Sequence, residues 1–315
     1  MWGLLSLIKV FEAFSGYGSQ SIALERLGIE HKVVGISEID KNAIKAYYAL
    51  HSESIPNFGD ISKINPVELP KFDLFTYSFP CQSLSLSGKL EGLERGKTRS
   101  GLLYECERII EYCRPKYLLM ENVKNLVGKT FKPQFDEWLK YLESLGYSNQ
   151  WFVLDAKDFG VPQSRERVFC VSVLEETVDL DIKKKKLDSF IYDIVDKDDK
   201  SRHFIKEIPE LKGQYLNGAY RGRKKDGQYV QSLELRNDYC SNTITTVQKD
   251  NVIVLDGKVG YFTQKECFKL MGLTDEEIEK IDRVVSKSAQ YKLAGNSIVV
   301  PVLMEIFKNL FIKGE

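Results

Sequence analysis

One cysteine of this chain, Cys81, stands where a nucleophile could act. It follows the apolar run 72–77 and lies in SFPCQ at residues 78–82, a loop with a proline at the end of a predicted buried strand. In open α/β sheets, ligands bind just beyond the carboxyl ends of the strands. A free thiol has a pKa of about 8.5, so a nearby cation or helix end would be needed to raise its thiolate fraction. The alternative is a buried cysteine that only closes a strand.

A turn that contains glycines could hold a nucleoside-like ligand. Residues 14–19, of sequence FSGYGS, follow a predicted strand and open a predicted helix. They lack the third glycine of the dinucleotide fingerprint and the lysine of a phosphate loop, which excludes an NAD-dependent oxidoreductase. Glu38 ends the next predicted strand, where ribose hydroxyls bind, and Asp60, before Ile61, could accept from an exocyclic amine. An adenosine without a pyrophosphate satisfies these signals, which favours S-adenosylmethionine.

Three further polar motifs flank predicted elements. Glu121 lies at a strand end that parallel topology would bring close to the Cys81 loop. The segment QSRER at 163–167 precedes a strand, and alternation would aim both of its arginines to the same side, although two surface arginines are the plainer interpretation. The segment GNS at 295–297 precedes the last predicted helix and would supply its N-terminal cap.

The elements that would position these residues alternate between strand and helix up to residue 173. We predict strands over 10–14, 32–36, 73–77, 117–120, 150–154 and 168–173, and helices over 21–27, 42–50, 102–113 and 135–145. This alternation predicts an α/β fold with a Rossmann-like parallel, doubly wound sheet. Charge runs and short β-like pieces then indicate a second, smaller, mostly β or irregular domain. Regular structure returns over 264–271 and in a final helix over about 297–311.

Composition limits the possible function classes. The 315 residues include 45 lysines and arginines and 45 aspartates and glutamates, so attraction to phosphate must come from local basic clusters. No two of the six cysteines form a CxxC pair, so a zinc site, another metal site and a disulfide framework are not expected. The apolar stretch 2–8 lacks the features of a signal peptide and is too short to span a bilayer. We expect a cytoplasmic protein with no membrane partner.

In their order and spacing, these motifs resemble those of the DNA (cytosine-5) methyltransferases of the compact bacterial and phage type. The resemblance covers nearly the whole chain apart from about 175–261, where family members differ from one another. Ser15, Ser19 and Gln264 replace residues common in the family, and we expect cofactor binding to survive these changes. The resemblance rests on FSGYG at 14–18, Glu38, DI at 60–61, PCQ at 80–82, ENV at 121–123, QSRER at 163–167 and GNS at 295–297.

The resemblance implies three sets of site residues. The catalytic set would be Cys81, Gln82, Glu121, Asn122, Arg165 and Arg167. The set that binds S-adenosylmethionine, and the product S-adenosylhomocysteine, would be Phe14, Ser15, Gly16, Gly18, Glu38, Ile39, Asp60, Ile61, Pro80, Leu102, Asn296 and Ser297. Double-stranded DNA would contact Ser85, Ser87, Lys89, Arg99, Arg221, Arg223 and Lys224.

Cytosine chemistry explains these residue types. Carbon 5 is a poor nucleophile until a thiolate, here that of Cys81, attacks carbon 6 and leaves an enamine-like ring. Glu121 would then contact ring nitrogen 3 and the exocyclic amine, and Arg165 the carbonyl oxygen. A stacked base is out of reach, so the target must be flipped out. The loop 83–89, with Lys97 and Arg99 beyond it, could close over the flipped base or could be an ordinary mobile surface loop.

The family pattern also predicts the domain organisation. We expect a catalytic domain over 1–175, a target-recognition domain over 176–259 and a return segment over 260–315 whose last helix packs back on the catalytic domain. The arginines at 221 and 223, interleaved with tyrosines, would form a nucleic-acid surface, and a solvated charged face is an equal alternative. We expect a monomer, with any cognate restriction endonuclease acting separately.

Two other functions remain open at this point. An RNA (tRNA) cytosine-5 methyltransferase would use the same chemistry, but its Cys-Phe-Thr signature is absent and YFT at 261–263 is the nearest match. A catalytically inactive, DNA-binding regulatory module would have lost its catalytic positions, whereas Cys81, Glu121, Arg165 and Arg167 are all present.

Overall fold

A computed structural model describes residues 7–80, 100–225 and 228–312 of the chain. The predictions for Cys81, Gln82, Ser85, Ser87, Lys89, Lys97 and Arg99 therefore lie outside the described residues. Two compact units are present. The first comprises Met1–Leu154, Glu166–Lys183 and Leu303–Glu315, and the second comprises Asp155–Arg165 and Lys184–Val302.

The first unit contains the Rossmann-like sheet, with the order β2-β1-β3-β4-β6-β5. Its strands are β1 (Ile8–Ala13), β2 (His31–Ser37), β3 (Leu74–Tyr77), β4 (Tyr117–Val123), β5 (Tyr147–Asp155) and β6 (Glu166–Leu174). Strands β2, β1, β3 and β4 are parallel neighbours, as predicted. The expectation of a wholly parallel sheet is wrong at β6, which runs antiparallel to β4. Residues 156–165, which join β5 to β6, are fewer than the dozen or more that a parallel crossover needs.

Helices cover this sheet at the predicted places. They are α1 (Ser19–Arg26), α2 (Lys41–Leu50), α3 (Leu103–Cys113) and α4 (Lys132–Ser144). Asp40 begins α2, since its carboxylate accepts from the backbone amides of Asn42 and Ala43. Helix α3 buries Leu103, Cys106 and Ile110 on one face, and these side chains join a core that includes Phe75 and Met120. The helical periodicity of apolar residues thus fixes which face of α3 packs inward.

The second unit is built on a smaller sheet, with the order β7-β11-β10-β8-β9 and antiparallel pairing of its neighbours. Its strands are β7 (Phe204–Glu207), β8 (Tyr215–Lys225), β9 (Gln228–Arg236), β10 (Val252–Leu255) and β11 (Lys258–Tyr261). Its helices are α5 (Ile191–Ile194), α6 (Gln264–Lys269), α7 (Asp275–Asp282) and α8 (Lys287–Asn296). The second, mostly β or irregular domain was predicted over 176–259, and this unit contains a five-stranded sheet together with helices α7 and α8, which were not predicted.

The last helix, α9 (Val300–Phe311), begins later than predicted. The prediction that Asn296 or Ser297 caps it is wrong, because Asn296 ends α8 and Ser297 is the residue that follows α8. Lys287–Phe311 is long and apolar enough to cross a membrane by length and composition alone. Residues 297–299 interrupt it, and the apolar side chains of α9 are buried, among them Leu303 and Phe307. This burial is that of a helix in a protein core.

Candidate active site

The turn after β1 is shaped by left-handed backbone. Phe14 has a φ of +55°, Gly16 of +58° and Gly18 of +83°. A Cβ atom on Gly18 would lie 2.3 Å from the Nε2 atom of His51 and 2.7 Å from a ring carbon of Tyr47, so both backbone angle and packing demand glycine there. A Cβ atom on Gly16 would meet nothing within 4 Å. The turn therefore keeps open space beside Gly16.

Glu38, at the end of β2, lies against this turn as predicted. Its Oε2 atom accepts from the backbone amide of Gly16 at 3.0 Å, and its Oε1 atom accepts from the amides of Ile39 and Asp40, both at 2.8 Å. Burial raises the pKa of the Glu38 carboxyl above its ordinary value. Oε2 accepts a single hydrogen bond from the described residues, and a carboxylate oxygen can accept two. It can therefore also accept from a ribose hydroxyl.

Three further residues of the predicted cofactor site are a carboxylate, Asp60, and two isoleucines that differ in exposure, Ile61 and Ile39. Asp60 precedes a short 3₁₀ helix, Ile61–Lys63, and its Oδ1 atom accepts from the amide and the hydroxyl of Ser62. These hydrogen bonds hold the pKa of Asp60 below its ordinary value, so the group is charged at neutral pH. Ile61 is buried in the core, whereas Ile39 is 70% exposed beside Glu38. Ile39 thus offers an apolar surface to a ligand.

Ser15 gives an independent sign that this turn is built for a ligand. Its hydroxyl is buried and has no hydrogen-bond partner among the residues that the structure describes. An unpaired buried hydroxyl costs about 1–3 kcal/mol, which a bound polar group would offset. Together with the space beside Gly16 and the spare capacity of Glu38, this hydroxyl fits the cofactor that the sequence predicts.

A buried carboxyl group under the turn was missed by sequence reasoning. Glu12 of β1 is fully buried, and it accepts from the hydroxyl of Ser21 at 2.8 Å and from that of Tyr47 at 2.7 Å. Tyr47 contacts the ring of His51, whose Nε2 atom lies 3.1 Å from the carbonyl oxygen of Tyr17. Glu12 thereby ties α1 and α2 to the turn. The available signal was a lone acidic residue inside an apolar strand.

The Glu12 carboxyl should make stability depend on pH. Burial raises its pKa from 4.5 to about 7, so the folded protein binds this proton more tightly than the unfolded chain. The stabilisation is complete below pH 4.5 and is lost as the pH rises through 7, by about 3 kcal/mol in all. We expect Glu12→Gln to lack this decline. Urea unfolding of both proteins across this range measures it, and parallel pH profiles would contradict the assignment.

The ends of β3 and β4 meet as the parallel topology predicts. Tyr77 of β3 is in register with Met120 of β4, and the Nδ2 atom of Asn122 donates to the carbonyl oxygen of Phe79 at 3.0 Å. The Oδ1 atom of Asn122 accepts from the amide of Val123 at 2.8 Å. Asn122 therefore fixes the loop that leads through Pro80 toward Cys81.

Glu121 and Arg167 form the charged pair at this strand end. The Nε atom of Arg167 lies 3.3 Å from Oε1 of Glu121, and the two side chains are only 17% and 11% exposed. Strands β4 and β6 are paired here, since Val123 is in register with Arg167. A buried carboxylate beside a guanidinium, at the end of a strand, can serve both proton transfer and the stabilisation of negative charge.

Arg165, which precedes β6, binds backbone carbonyls of the second unit. Its guanidinium, buried in the second unit, donates to the carbonyl oxygens of Ile244 at 2.7 Å, Gly295 at 3.1 Å and Ser297 at 2.6 Å. Strand alternation does not apply to this pair, because β6 begins at Glu166, so the expectation that both arginines aim to the same side stays a prediction. Arg165 thus joins QSRER and GNS, which the sequence singled out, to Ile244.

The remaining predicted residues lie as follows. Leu102 is half-buried directly before α3 and packs against the core of the first unit. Arg221 and Arg223 of β8 both pair with Glu234 of β9. Lys224 belongs to β8 by its backbone, and its side chain lies outside the described residues.

Comparison with known proteins gives consistent matches. The family model described as C-5 cytosine-specific DNA methylase matches residues 8–312. The type II methyltransferase M2.ScrFI of Lactococcus lactis subsp. cremoris is 37% identical over 97% of this chain and 99% of its own. The orphan methyltransferase M.SssI of Spiroplasma monobiae is 30% identical over 96% and 97%. The crystal structure of S. pombe Dnmt2 methyltransferase is similar in fold, with a TM-score of 0.74 and 21% identity over 97% and 98% of the two chains.

Proposed function

The chain belongs to the C-5 cytosine-specific DNA methylase family, and from this premise we propose that it acts through a covalent bond between Cys81 and carbon 6 of a flipped-out cytosine. The overall activity is that of a DNA cytosine-5 methyltransferase. The observation that carries the proposal is the pair Glu121–Arg167 at the end of β4, beside the bond from Asn122 to Phe79. That bond fixes the chain two residues before Cys81.

In the proposed reaction, the Cys81 thiolate forms a bond to carbon 6 and the ring electrons move toward nitrogen 3. Glu121 protonates or hydrogen-bonds nitrogen 3 and accepts from the exocyclic amine. Methylation of carbon 5 would release S-adenosylhomocysteine. A base, either a water molecule or a side chain, then takes the carbon-5 proton, and the electrons of that C–H bond re-form the ring double bond and expel the Cys81 thiolate. The target base must leave the helix first, at a cost of a few kcal/mol.

We propose Arg167 as a second candidate, besides Arg165, for contact with the cytosine carbonyl oxygen. Its guanidinium lies beside Glu121. A guanidinium next to the acid can stabilise charge that develops on the ring in the transition state. Its bonds to three backbone carbonyls give Arg165 a positioning role within the second unit as well.

S-adenosylmethionine, when bound, supplies the electrophilic methyl group. We propose that Glu38 holds its ribose, that Asp60 accepts from its exocyclic amine and that Ile39 covers its base. The Ser15 hydroxyl would find its partner on this ligand. The roles of Phe14, Gly16, Gly18, Ile61, Pro80, Leu102, Asn296 and Ser297 in this site remain proposals on the same basis.

Double-stranded DNA is the substrate, and we propose that the second sheet and its connections read the target sequence. We keep as proposals a target-recognition domain over 176–259, a catalytic domain over 1–175 and a return segment over 260–315. One relative is named a type II and another an orphan methyltransferase. We propose a cytoplasmic, monomeric enzyme that modifies a short sequence, with any restriction endonuclease as a separate protein.

The function can be tested by bisulfite sequencing. Unmethylated plasmid DNA is incubated with the purified protein and S-adenosylmethionine, and total tRNA is treated in parallel. We expect protected cytosines within one recurring DNA context. Protection in RNA alone would support the RNA alternative, and no protection with a protein that binds S-adenosylhomocysteine would support the inactive module. Either result would overturn the proposal.

A further inference from the structure

Strands β8 and β9 extend beyond the sheet that they belong to. Strand β10 pairs with β8 only from Tyr215 to Gly218, whereas β8 and β9 stay paired as far as Lys225 and Gln228. The outer part, residues 219–225 and 228–234, is a two-stranded antiparallel ribbon, called the ribbon below. Residues 228–232 are all exposed, although successive residues of a strand point to opposite faces. Both faces of the outer ribbon are therefore open.

The shape and charge of the ribbon suit a DNA groove. At about 3.3 Å per residue its length is roughly 20 Å, and the major groove of B-DNA admits a two-stranded ribbon. From 219 to 234 the sequence has four basic and two acidic side chains, an excess of positive charge in a chain that is neutral overall. Tyr229, opposite Lys224, is 77% exposed. These features match a polyanion better than a protein partner.

One side chain of the ribbon is held in a geometry suited to base recognition. The Nε atom of Arg223 lies 2.6 Å from Oε1 of Glu234, and its Nη2 atom lies 3.0 Å from Oε2. Arg221 adds a longer contact of 3.4 Å to the same Oε2 atom. Glu234 thus binds the edge of the Arg223 guanidinium formed by Nε and Nη2. The N–H groups of Nη1 and the second N–H of Nη2 form the other edge and can donate to a ligand. Arg223 is 61% exposed, so this edge is accessible.

We propose that Arg223 reads a guanine in the major groove of the target sequence and that Glu234 is the residue that positions its guanidinium. The inference rests on the proposed function, which supplies DNA as the partner. Arginine binds the O6 and N7 atoms of guanine through two parallel hydrogen bonds, and this is the commonest specific contact to a base. A guanidinium held in advance loses less side-chain freedom when the contact forms.

Because the Arg223–Glu234 pair lies on the surface, an effect on recognition can be separated from an effect on stability. An exposed ion pair contributes little to stability, so its removal should leave the fold intact. Arg223→Lys keeps the positive charge but replaces the planar, held guanidinium by a flexible ammonium that Glu234 cannot bind at two points. Glu234→Gln keeps the shape but removes the negative charge that holds Arg223. Asp238→Asn is the matched control, because Asp238 binds Arg236 in the same two-point manner outside the ribbon.

The experiment is bisulfite sequencing of a random-sequence DNA library after methylation by each protein. We expect the wild-type context to contain a guanine whose discrimination falls about 10- to 100-fold in Arg223→Lys. Glu234→Gln should lose a smaller part of the same discrimination, and Asp238→Asn should match the wild type. Affinity for S-adenosylhomocysteine, measured by calorimetry, should be equal in all four proteins and so shows that they are folded.

Several results would overturn the inference. They are a wild-type context without guanine, unchanged discrimination in Arg223→Lys and Glu234→Gln, or a rate loss equal across all sequences, which indicates a phosphate contact. Failure of the proposed function looks different, because the wild-type protein would then protect no cytosine at all. A variant that no longer binds S-adenosylhomocysteine would show that the pair holds the fold, which also contradicts a role in recognition.

Discussion

Cys81→Ser is expected to abolish methyl transfer while leaving DNA and cofactor binding largely unchanged. A serine hydroxyl is far less acidic than a thiol and has no neighbouring base assigned to it, so it cannot attack carbon 6 at neutral pH. The loss should be at least about 1,000-fold in the single-turnover rate. Transfer of a tritiated methyl group to a DNA duplex measures the rate, and a gel-shift assay measures binding. Full activity of the variant would refute the covalent mechanism.

Cys113→Ser is the matched control for this experiment. Cys113 ends α3, is half-buried, and its thiol lies 3.8 Å from the carbonyl oxygen of Pro66, to which a serine could also donate. Burial raises the pKa of the Cys113 thiol to about 11, so it carries almost no thiolate at neutral pH. This variant should retain wild-type activity. Equal losses in both variants would indicate that the chain tolerates no serine for cysteine and would leave Cys81 without a special role.

The strand-end chemistry could be predicted because it depends on local pattern. Glu38 and Asn122 both follow short apolar runs, and parallel strands present their carboxyl ends at one edge of a sheet. The contacts of Glu38 with Gly16 and of Asn122 with Phe79 confirm that these segments lie together. These predictions succeeded because they needed only the rule that adjacent parallel strands end at the same edge of a sheet.

Long-range partners were beyond the reach of local pattern. Arg165 binds carbonyl oxygens of residues that follow it by 79 to 132 positions, and nothing in QSRER predicts them. Likewise, the grip of Glu234 on Arg223 depends on the register of a hairpin. Helix α7 is a different case, since Thr274 and Glu277 form a capping box that was visible in the sequence and was overlooked.

Glu121→Gln is expected to slow the chemical step by about 100-fold or more without weakening cofactor binding. Glutamine has the same shape and can still form hydrogen bonds to the ring, but it cannot transfer a proton to nitrogen 3. It also leaves Arg167 without the carboxylate that lies 3.3 Å away. Single-turnover kinetics measure the chemical step, and calorimetry with S-adenosylhomocysteine measures cofactor affinity.

Glu166→Gln is the matched control for Glu121→Gln, because it removes a negative charge next to Arg167 in sequence without changing Glu121. Glu166 precedes Arg167 and pairs with Lys124 at 2.8 Å, but its side chain is 46% exposed. An exposed pair of this kind is worth about 0–1 kcal/mol, so the control should keep wild-type kinetics and stability. If Glu121→Gln instead lost cofactor binding in proportion to its rate, the carboxylate would serve to hold the strand end together. Proton transfer at nitrogen 3 would then need another group.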